Sequence, residues 1–227
     1  MERYAYLTLS LSFATALGIM LLIRKDLAKL ALLVGSFGGT AGVMAEVFYF
    51  HDYWRPPSLF GTAVPSPEDL IFGFSITALA VITFLVLGRK RLTAGMAPHG
   101  KIYLSLFIGG LLSMLIFNVW LGINSIFVSS ITFLVFSVIM LYMRRDLIDA
   151  AAYSAVALTL LTLGVYIVLF DCFFTDFWQR YWLLHGTRYG MFVFGNVPLT
   201  ELLWYFSWAV AGSISYPFIT GKKIVRI

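Results

Sequence analysis

Residues 67–88 read PEDLIFGFSITALAVITFLVLG, in which two acidic residues are followed by an unbroken run of uncharged ones. A hydrocarbon core about 30 Å thick needs about 20 apolar residues for each helix that crosses it. The segment therefore predicts a membrane-spanning helix that has Glu68 and Asp69 at its polar end.

Six further segments of the chain have the same apolar character. Of the 227 residues, 60% are hydrophobic and only 12% are charged, whereas a soluble domain of this size needs more charge to cover its surface. We therefore expect an all-α polytopic membrane bundle that forms a single domain over residues 1–227. The seven predicted helices cover residues 4–23, 29–50, 68–88, 102–121, 124–143, 151–174 and 198–219.

The basic residues predict the orientation of this bundle in the membrane. One side of the membrane has only four of them, Arg3, Arg55, Arg180 and Arg188, and the remaining lysines and arginines fall in loops on the other side. Because cytoplasmic loops carry the excess of Lys and Arg, we expect an outside N-terminus and a cytoplasmic C-terminus, in the plasma membrane of a prokaryote. Since the basic residues lie at helix ends, the net charge of +5 gives no reason to expect a nucleic-acid partner.

Two parts of the sequence contain the same elements in the same order. Each contains a Val-Pro-x-x-Glu motif at the start of a helix, as Val64–Glu68 and as Val197–Glu201. Upstream of these motifs lie Asp52-Tyr53-Trp54 and Asp176-Phe177-Trp178. The recurrence predicts an internal repeat.

The repeat predicts how the seven helices are organised. We expect two parallel three-helix repeats, at about residues 4–90 and 124–219, joined by a linker helix at about residues 102–121. Repeats of this kind commonly form a binding site at their interface.

Carboxyl groups in the outer half of the membrane are the candidate catalytic groups. Glu68, Asp69 and Glu201 lie at the starts of the third and seventh predicted helices, and Glu46 and Asp171 lie late in the second and sixth. Ionisable groups are costly inside a membrane, so each of these is a candidate functional residue.

A structural role is the alternative for several of these acids. The pattern Ser66-x-x-Asp69 is typical of a helix capping box. Acids close to the membrane surface can also be solvated, or can pair with Arg55 or Arg180.

Aromatic residues accompany the acids along the sequence. Aromatic side chains at helix ends are typical of an interfacial belt, but a pocket lined with their faces can also stabilise a cation. The candidate substrate-binding residues are Asp52, Tyr53, Trp54, Phe72, Asp176, Trp178 and Tyr205.

Patterns typical of cofactor and metal sites do not occur in the sequence. The three histidines do not have the spacing of metal ligands, so we expect no metal site. Gly35, Gly38 and Gly39 do not form a dinucleotide fingerprint, and they predict close helix packing. No cofactor is evident, although a requirement for a flavin or NAD(P)H stays open.

At these motifs the sequence resembles the membrane lycopene cyclase family. That family has a Pro-x-Glu-Glu or Pro-x-Glu-Asp motif before an aromatic helix, once in each repeat. The matching segments are residues 65–72 and residues 198–205, and the second has Leu202 where an acid is usual.

The resemblance implies a function for the acidic residues. It implies an enzyme that cyclises the end group of a linear carotenoid to an ionone-type ring by acid–base catalysis, without net redox change. Glu68 and Glu201 would be the acid and the base in some order, with Asp69, Glu46 or Asp171 assisting. The expected partners are the lipid bilayer and a hydrophobic carotenoid or prenyl substrate, with homo-oligomerisation left open.

Two other functions fit the same architecture. A small transporter of the sugar-exporting SWEET type also has a 3+1+3 arrangement, although the first, second, fifth and sixth predicted helices lack the prolines that would act as hinges. The other alternative is a related enzyme that cyclises or hydrates a different prenyl chain.

Overall fold

The computed structural model describes residues 2–61 and 65–227, and this part of the chain is mostly helical. Val64 of the first predicted motif lies outside the described residues. The helices are α1 (Ala5–Ile23), α2 (Ala28–Asp52), α3 (Pro67–Leu87), α4 (Gly100–Ser113), α5 (Ser125–Met143), α6 (Ile148–Tyr166), α7 (Phe177–Tyr181) and α8 (Leu199–Thr220). The strands are β1 (Lys90–Ala94), β2 (Phe192–Val193), β3 (Val197–Pro198) and β4 (Lys222–Arg226).

Each of the seven helices expected from the sequence is present, with ends that differ by at most a few residues. Two of them continue in a wider helical form, since α4 is followed by the π-helix Met114–Trp120 and α6 by the π-helix Ile167–Phe173. α7 and the four strands were not predicted from the sequence, because these elements are too short to produce a periodic apolar pattern.

Six helical segments are long and apolar enough to cross a membrane, judged by length and composition, and they indicate an integral membrane protein. Although α8 has 22 residues, it is not among the six. The six segments are Glu2–Ile23, Lys25–Asp52, Pro67–Leu87, Gly100–Trp120, Ser125–Met143 and Arg145–Phe173.

The helices α3 and α8 lie at the centre of the bundle. α3 packs against α1, α2, α6 and α8, and α8 packs against α3, α5 and α6. In contrast, α4 lies at the periphery, and none of its residues is buried. The first residues of α3 and α8 are therefore placed close to the axis of the bundle.

Glycines allow α2 and α3 to approach until their backbones touch. A Cβ atom on Gly73 would lie 2.5 Å from the carbonyl oxygen of Gly38, and a Cβ atom on Gly42 would lie 3.1 Å from the Cα atom of Gly73. Gly35 and Gly39 lie on the same contact, against Phe74 and Leu70 of α3. The prediction that the glycines of α2 serve helix packing is confirmed.

An arginine ties the end of α1 to the end of α3. The guanidinium group of Arg24 donates to the carboxylate of Asp26 at 2.7 and 2.8 Å. It also donates to the carbonyl oxygens of Leu85 and Lys90, at 3.0 and 3.1 Å.

A second arginine makes the corresponding contacts between α5 and α8. Arg144 is almost fully buried, and it donates to Asp146 and to the carbonyl oxygens of Pro217 and Lys222. The segments that follow α3 and α8, β1 and β4, then pair with each other as an antiparallel ribbon. Gly221 allows this because it ends α8 in the left-handed region, at φ 66°.

We expect Gly73→Ala to lower the free energy of unfolding by about 1–3 kcal/mol, because the added methyl group must push α2 away from α3. The matched control is Gly109→Ala in α4, where a Cβ atom meets nothing within 4 Å. Thermal unfolding of the purified variants in detergent measures both. Equal melting temperatures for the two variants would contradict the close helix contact.

Candidate functional site

Two segments at the end of the bundle opposite the β1–β4 ribbon pair across the structure. The amide of Arg55 donates to the carbonyl oxygen of Tyr181, and the amide of Leu183 donates to that of Tyr53, each at 2.8 Å. Trp54 lies opposite Trp182 in this antiparallel bridge. The pairing brings together aromatic residues that are far apart in the sequence.

An aromatic cluster fills the interior beneath this pairing. Its ring centroids lie 4.8–6.5 Å from those of their neighbours, a range that includes edge-to-face and stacked pairs. The members, most of them fully buried, are Tyr6, Phe13, Tyr49, Tyr53, Trp54, Phe72, Tyr166, Phe170, Phe177, Trp178, Trp182, Trp204 and Tyr205.

Glu201 extends from the first turn of α8 into the aromatic cluster, where two tyrosines hold it. The hydroxyl of Tyr53 donates to Oε1 and the hydroxyl of Tyr166 donates to Oε2, each at 2.6 Å. Tyr53 follows α2 and Tyr166 ends α6, so this one carboxyl group connects three helices.

Each of these tyrosines is itself held by another hydroxyl group. The hydroxyl of Tyr53 lies 3.0 Å from Oγ1 of Thr200, and that of Tyr166 lies 3.2 Å from the hydroxyl of Tyr205. A phenol has a single proton, and both tyrosines donate it to Glu201. Thr200 and Tyr205 must therefore be the donors in the outer bonds, which gives two hydrogen-bond chains that end on one carboxyl group.

Asp69 is the second carboxyl group that faces the aromatic cluster. It accepts from the hydroxyl of Tyr6 at 2.8 Å and from the amide of Ser66 at 2.7 Å, while its own amide donates to Oγ of Ser66. The capping box predicted from the sequence is therefore confirmed, and Asp69 combines this structural role with a place in the interior.

Glu46 of α2 is the third carboxyl group in the interior. Its side chain is 6% exposed, and Oε1 is buried without a hydrogen-bond partner. Glu46 interacts electrostatically with both Asp69 and Glu201, and Trp54 contacts its carboxyl group. The structure therefore brings together Glu46, Asp69 and Glu201, which we call the interior carboxyls.

Among the residues that the structure describes, no basic side chain forms an ion pair with the interior carboxyls. In the described part of the chain, the ion pairs use Arg24, Arg144 and Arg180, all at the ends of the bundle. Nor do the described residues contain a group of three or more His, Cys, Asp or Glu side chains that could hold a metal ion. Phenol hydroxyls are therefore the main donors to these acids.

The positions of Asp69 and Glu201 correspond more closely than those of Glu68 and Glu201. α3 begins at Pro67 and α8 begins at Leu199, so Asp69 and Glu201 are each the third residue of their helix. The sequence motif instead aligned Glu201 with Glu68.

Glu68 is fully buried but lies on a different side of α3 from Asp69. Its Oε1 accepts from the backbone amide of Leu59 in the α2–α3 connection at 2.6 Å. The structure therefore separates Glu68, expected to be a principal catalytic group, from the tyrosines that bind the interior carboxyls.

Three other predicted site residues also lie apart from the interior carboxyls, and each is satisfied by local contacts. Asp52 accepts from the side chain of Asn118 and from Ser125, which ties α2 to the α4–α5 connection. Asp171 accepts from a backbone amide, that of Asn196. Asp176 is exposed and pairs with Arg180.

Sequence reasoning missed several residues that bind or surround the interior carboxyls. Tyr6, Phe13 and Tyr166 were not predicted, because each is a single aromatic side chain in a largely apolar stretch. The pair Tyr53-Trp54 recurs as Tyr181-Trp182, and this recurrence could have indicated that the two segments lie together.

The chain matches no family model, and no curated protein or solved structure matches it significantly. The geometry of the interior carboxyls and of the residues around them is therefore the basis for the proposed function.

We expect Asp69→Ala to destabilise the protein more than Tyr6→Phe does. The alanine removes the bond from the amide of Ser66 to the Asp69 carboxylate, which is one half of the capping box and contributes about 1 kcal/mol. It also leaves the buried hydroxyl of Tyr6 without its acceptor, at about 1–3 kcal/mol. The phenylalanine leaves the capping box of Asp69 intact. Denaturation in detergent measures the difference, and a more stable Asp69→Ala variant would contradict the contacts described above.

Proposed function

We propose that this protein is a membrane enzyme that cyclises the end group of a linear carotenoid or a related prenyl chain by acid–base catalysis. The observation that carries the proposal is the group of interior carboxyls, Glu46, Asp69 and Glu201, enclosed by aromatic rings. Acid–base isomerisation needs one carboxyl group to give a proton and another to take one. The resemblance to membrane lycopene cyclases supports the same chemistry.

The proposed reaction is a balanced isomerisation. A carboxylic acid protonates the terminal carbon–carbon double bond, and the electron pair of the next double bond closes a six-membered ring. The positive charge then lies on a ring carbon, where faces of rings such as Trp54 and Phe72 can stabilise it. A carboxylate removes a ring proton and restores a double bond, so that the number of atoms and electrons is unchanged.

An apolar groove beside the aromatic cluster supports an apolar, chain-like substrate. The groove, of about 520 Å³, opens between α1 and α6, and it is lined by Ser12, Leu160, Leu161, Gly164, Val165, Val168 and Leu169. Phe13 and Tyr166, the chain neighbours of Ser12 and Val165, belong to the cluster. A chain in the groove would therefore lie along the flank of the proposed site.

We further propose that the bundle has seven spans in two parallel repeats, with α8 as the seventh. The corresponding contacts of Arg24 and Arg144 support the repeat, as does the pairing of β1 with β4. The basic residues of that ribbon gather at one end of the bundle, which supports a cytoplasmic C-terminus and an outside location for the proposed site.

Expression in a lycopene-accumulating host tests the function. We expect the unaltered chain to produce a cyclic carotenoid, and Glu201→Gln and Glu46→Gln each to lower its formation by about 100-fold or more, because acid–base groups contribute about 10²–10⁴ to rate. The matched control is Asp176→Asn, since that acid is exposed and pairs only with Arg180. Chromatography of extracted pigments at equal protein levels measures the outcome.

The products also separate the alternatives. An end group that carries a hydroxyl would indicate hydration of the same cation by water. Unchanged lycopene with the unaltered chain would contradict the carotenoid proposal, and transport of a sugar into liposomes would favour a transporter.

Filling the groove is a test that leaves the acids intact. Gly164→Leu should lower product formation by about tenfold, the effect of losing about 1.4 kcal/mol of binding free energy. Stability should not fall, because a Cβ atom at Gly164 meets nothing within 4 Å. Gly109→Leu on the peripheral α4 is the control, and equal activity of the two variants would exclude the groove as the substrate site.

A further inference from the structure

The two buried glutamates of the interior carboxyls differ in their hydrogen bonds. Both oxygens of Glu201 accept from phenols at 2.6 Å. That length lies in the range of about 2.5–2.7 Å found for hydroxyl donors to an ionised oxygen, and neutral hydroxyl pairs are longer. The surroundings of Glu201 therefore suit a carboxylate.

The surroundings of Glu46 suit the neutral acid instead. Its Oε1 is buried without a hydrogen-bond partner, whereas phenols bind both oxygens of Glu201, so even with the contact from Trp54 a negative charge on Glu46 would be compensated less than one on Glu201. Asp69 and Glu201 lie within electrostatic range and would repel a further negative charge. In the absence of a paired cation, the neutral form of Glu46 limits the charge that the interior carboxyls carry.

We propose that Glu46 holds the proton and acts as the acid, that Glu201 is the carboxylate that acts as the base, and that Tyr53 and Tyr166 are positioning residues that keep Glu201 ionised. The catalytic part of this assignment rests on the proposed function, whereas the charge states can be measured without substrate.

The division of roles closes a catalytic cycle. Glu46 gives its proton to the terminal double bond and becomes a carboxylate, and Glu201 takes the ring proton and becomes an acid. One proton must then return from Glu201 to Glu46 before the next turnover. No other reactant is consumed, as an isomerisation requires.

The same arrangement explains why both hydrogen-bond chains end on Glu201. Thr200 donates to the hydroxyl of Tyr53, and Tyr205 donates to the hydroxyl of Tyr166, so each of these two phenols donates its own proton to the carboxylate. Hydrogen bonds in a chain polarise and strengthen one another. Removal of one phenol weakens the stabilisation of the charge, and removal of both leaves it without donors.

Infrared spectroscopy of the purified full-length protein in detergent tests the assignment. A protonated carboxylic acid has a C=O stretching band that a carboxylate lacks. We expect this band in the unaltered protein, its loss in Glu46→Gln, and its retention in Glu201→Gln. The control Asp176→Asn should keep the band, because that acid is exposed.

The opposite pattern overturns the proposal. Loss of the band in Glu201→Gln with retention in Glu46→Gln would reverse the roles, and absence of any such band would exclude a neutral Glu46. Loss of the band only in Glu68→Gln would show that Glu68, and not Glu46, holds the proton. If Glu46→Gln does not fold, Glu46→Asp should shift the frequency of the band, and an unshifted band would equally overturn the assignment.

The double variant Tyr53→Phe with Tyr166→Phe tests the positioning role. Without these donors, Glu201 should take up a proton and give a second band, which a purely structural loss of packing would not produce. An unchanged spectrum in the folded double variant would overturn the role of the tyrosines. Failure of the unaltered chain to cyclise lycopene would remove the proposed function but leave the infrared result to decide the charge states.

Discussion

The requirement to satisfy a buried acid at the start of α8 organises the interior of this protein. Glu201 lies in an apolar bundle and pairs with no cation of the described residues, so hydroxyl groups supply its hydrogen bonds. One donor follows α2 and the other ends α6, which means that the acid can be satisfied only when helices from both ends of the sequence have assembled. Local folding of α8 alone would leave this carboxyl group without donors.

The close contact of α2 with α3 has a direct effect on the same interior. Because glycines let these helices touch, Glu46 on α2 and Asp69 on α3 come near each other and near Glu201. The pairing of residues 53–55 with residues 181–183 closes this end of the bundle. The contacts of Arg24 and Arg144 and the β1–β4 ribbon connect the helices at the opposite end. The interior carboxyls are surrounded by the aromatic cluster.

The distinction between structural and reactive acids follows from their partners. Asp52, Asp171 and Asp176 are satisfied by amides, hydroxyls or an exposed arginine, which is the ordinary way to place a carboxylate near a helix end. Asp69 accepts from the amide of Ser66 in the capping box and from the phenol hydroxyl of Tyr6. Glu46 and Glu68 differ from all of these, since each has one oxygen that is buried without a hydrogen-bond partner, and Glu46 is the one that lies with Asp69 and Glu201. Native structures rarely keep such an atom, and its presence beside other acids makes it a candidate for proton transfer.

The sequence by itself determined the helical class, the membrane-spanning length of six segments, the capping box at Ser66 and Asp69, and the packing role of the glycines in α2. These features depend on local composition, spacing or backbone size, which can be read along the chain. The tertiary structure alone decided which acids share an interior, because that depends on the rotation of each helix about its axis. Glu68 and Asp69 are adjacent in the sequence, so their side chains leave α3 in different directions. Asp69 faces the aromatic cluster together with Glu46 and Glu201, whereas Glu68 contacts the α2–α3 connection.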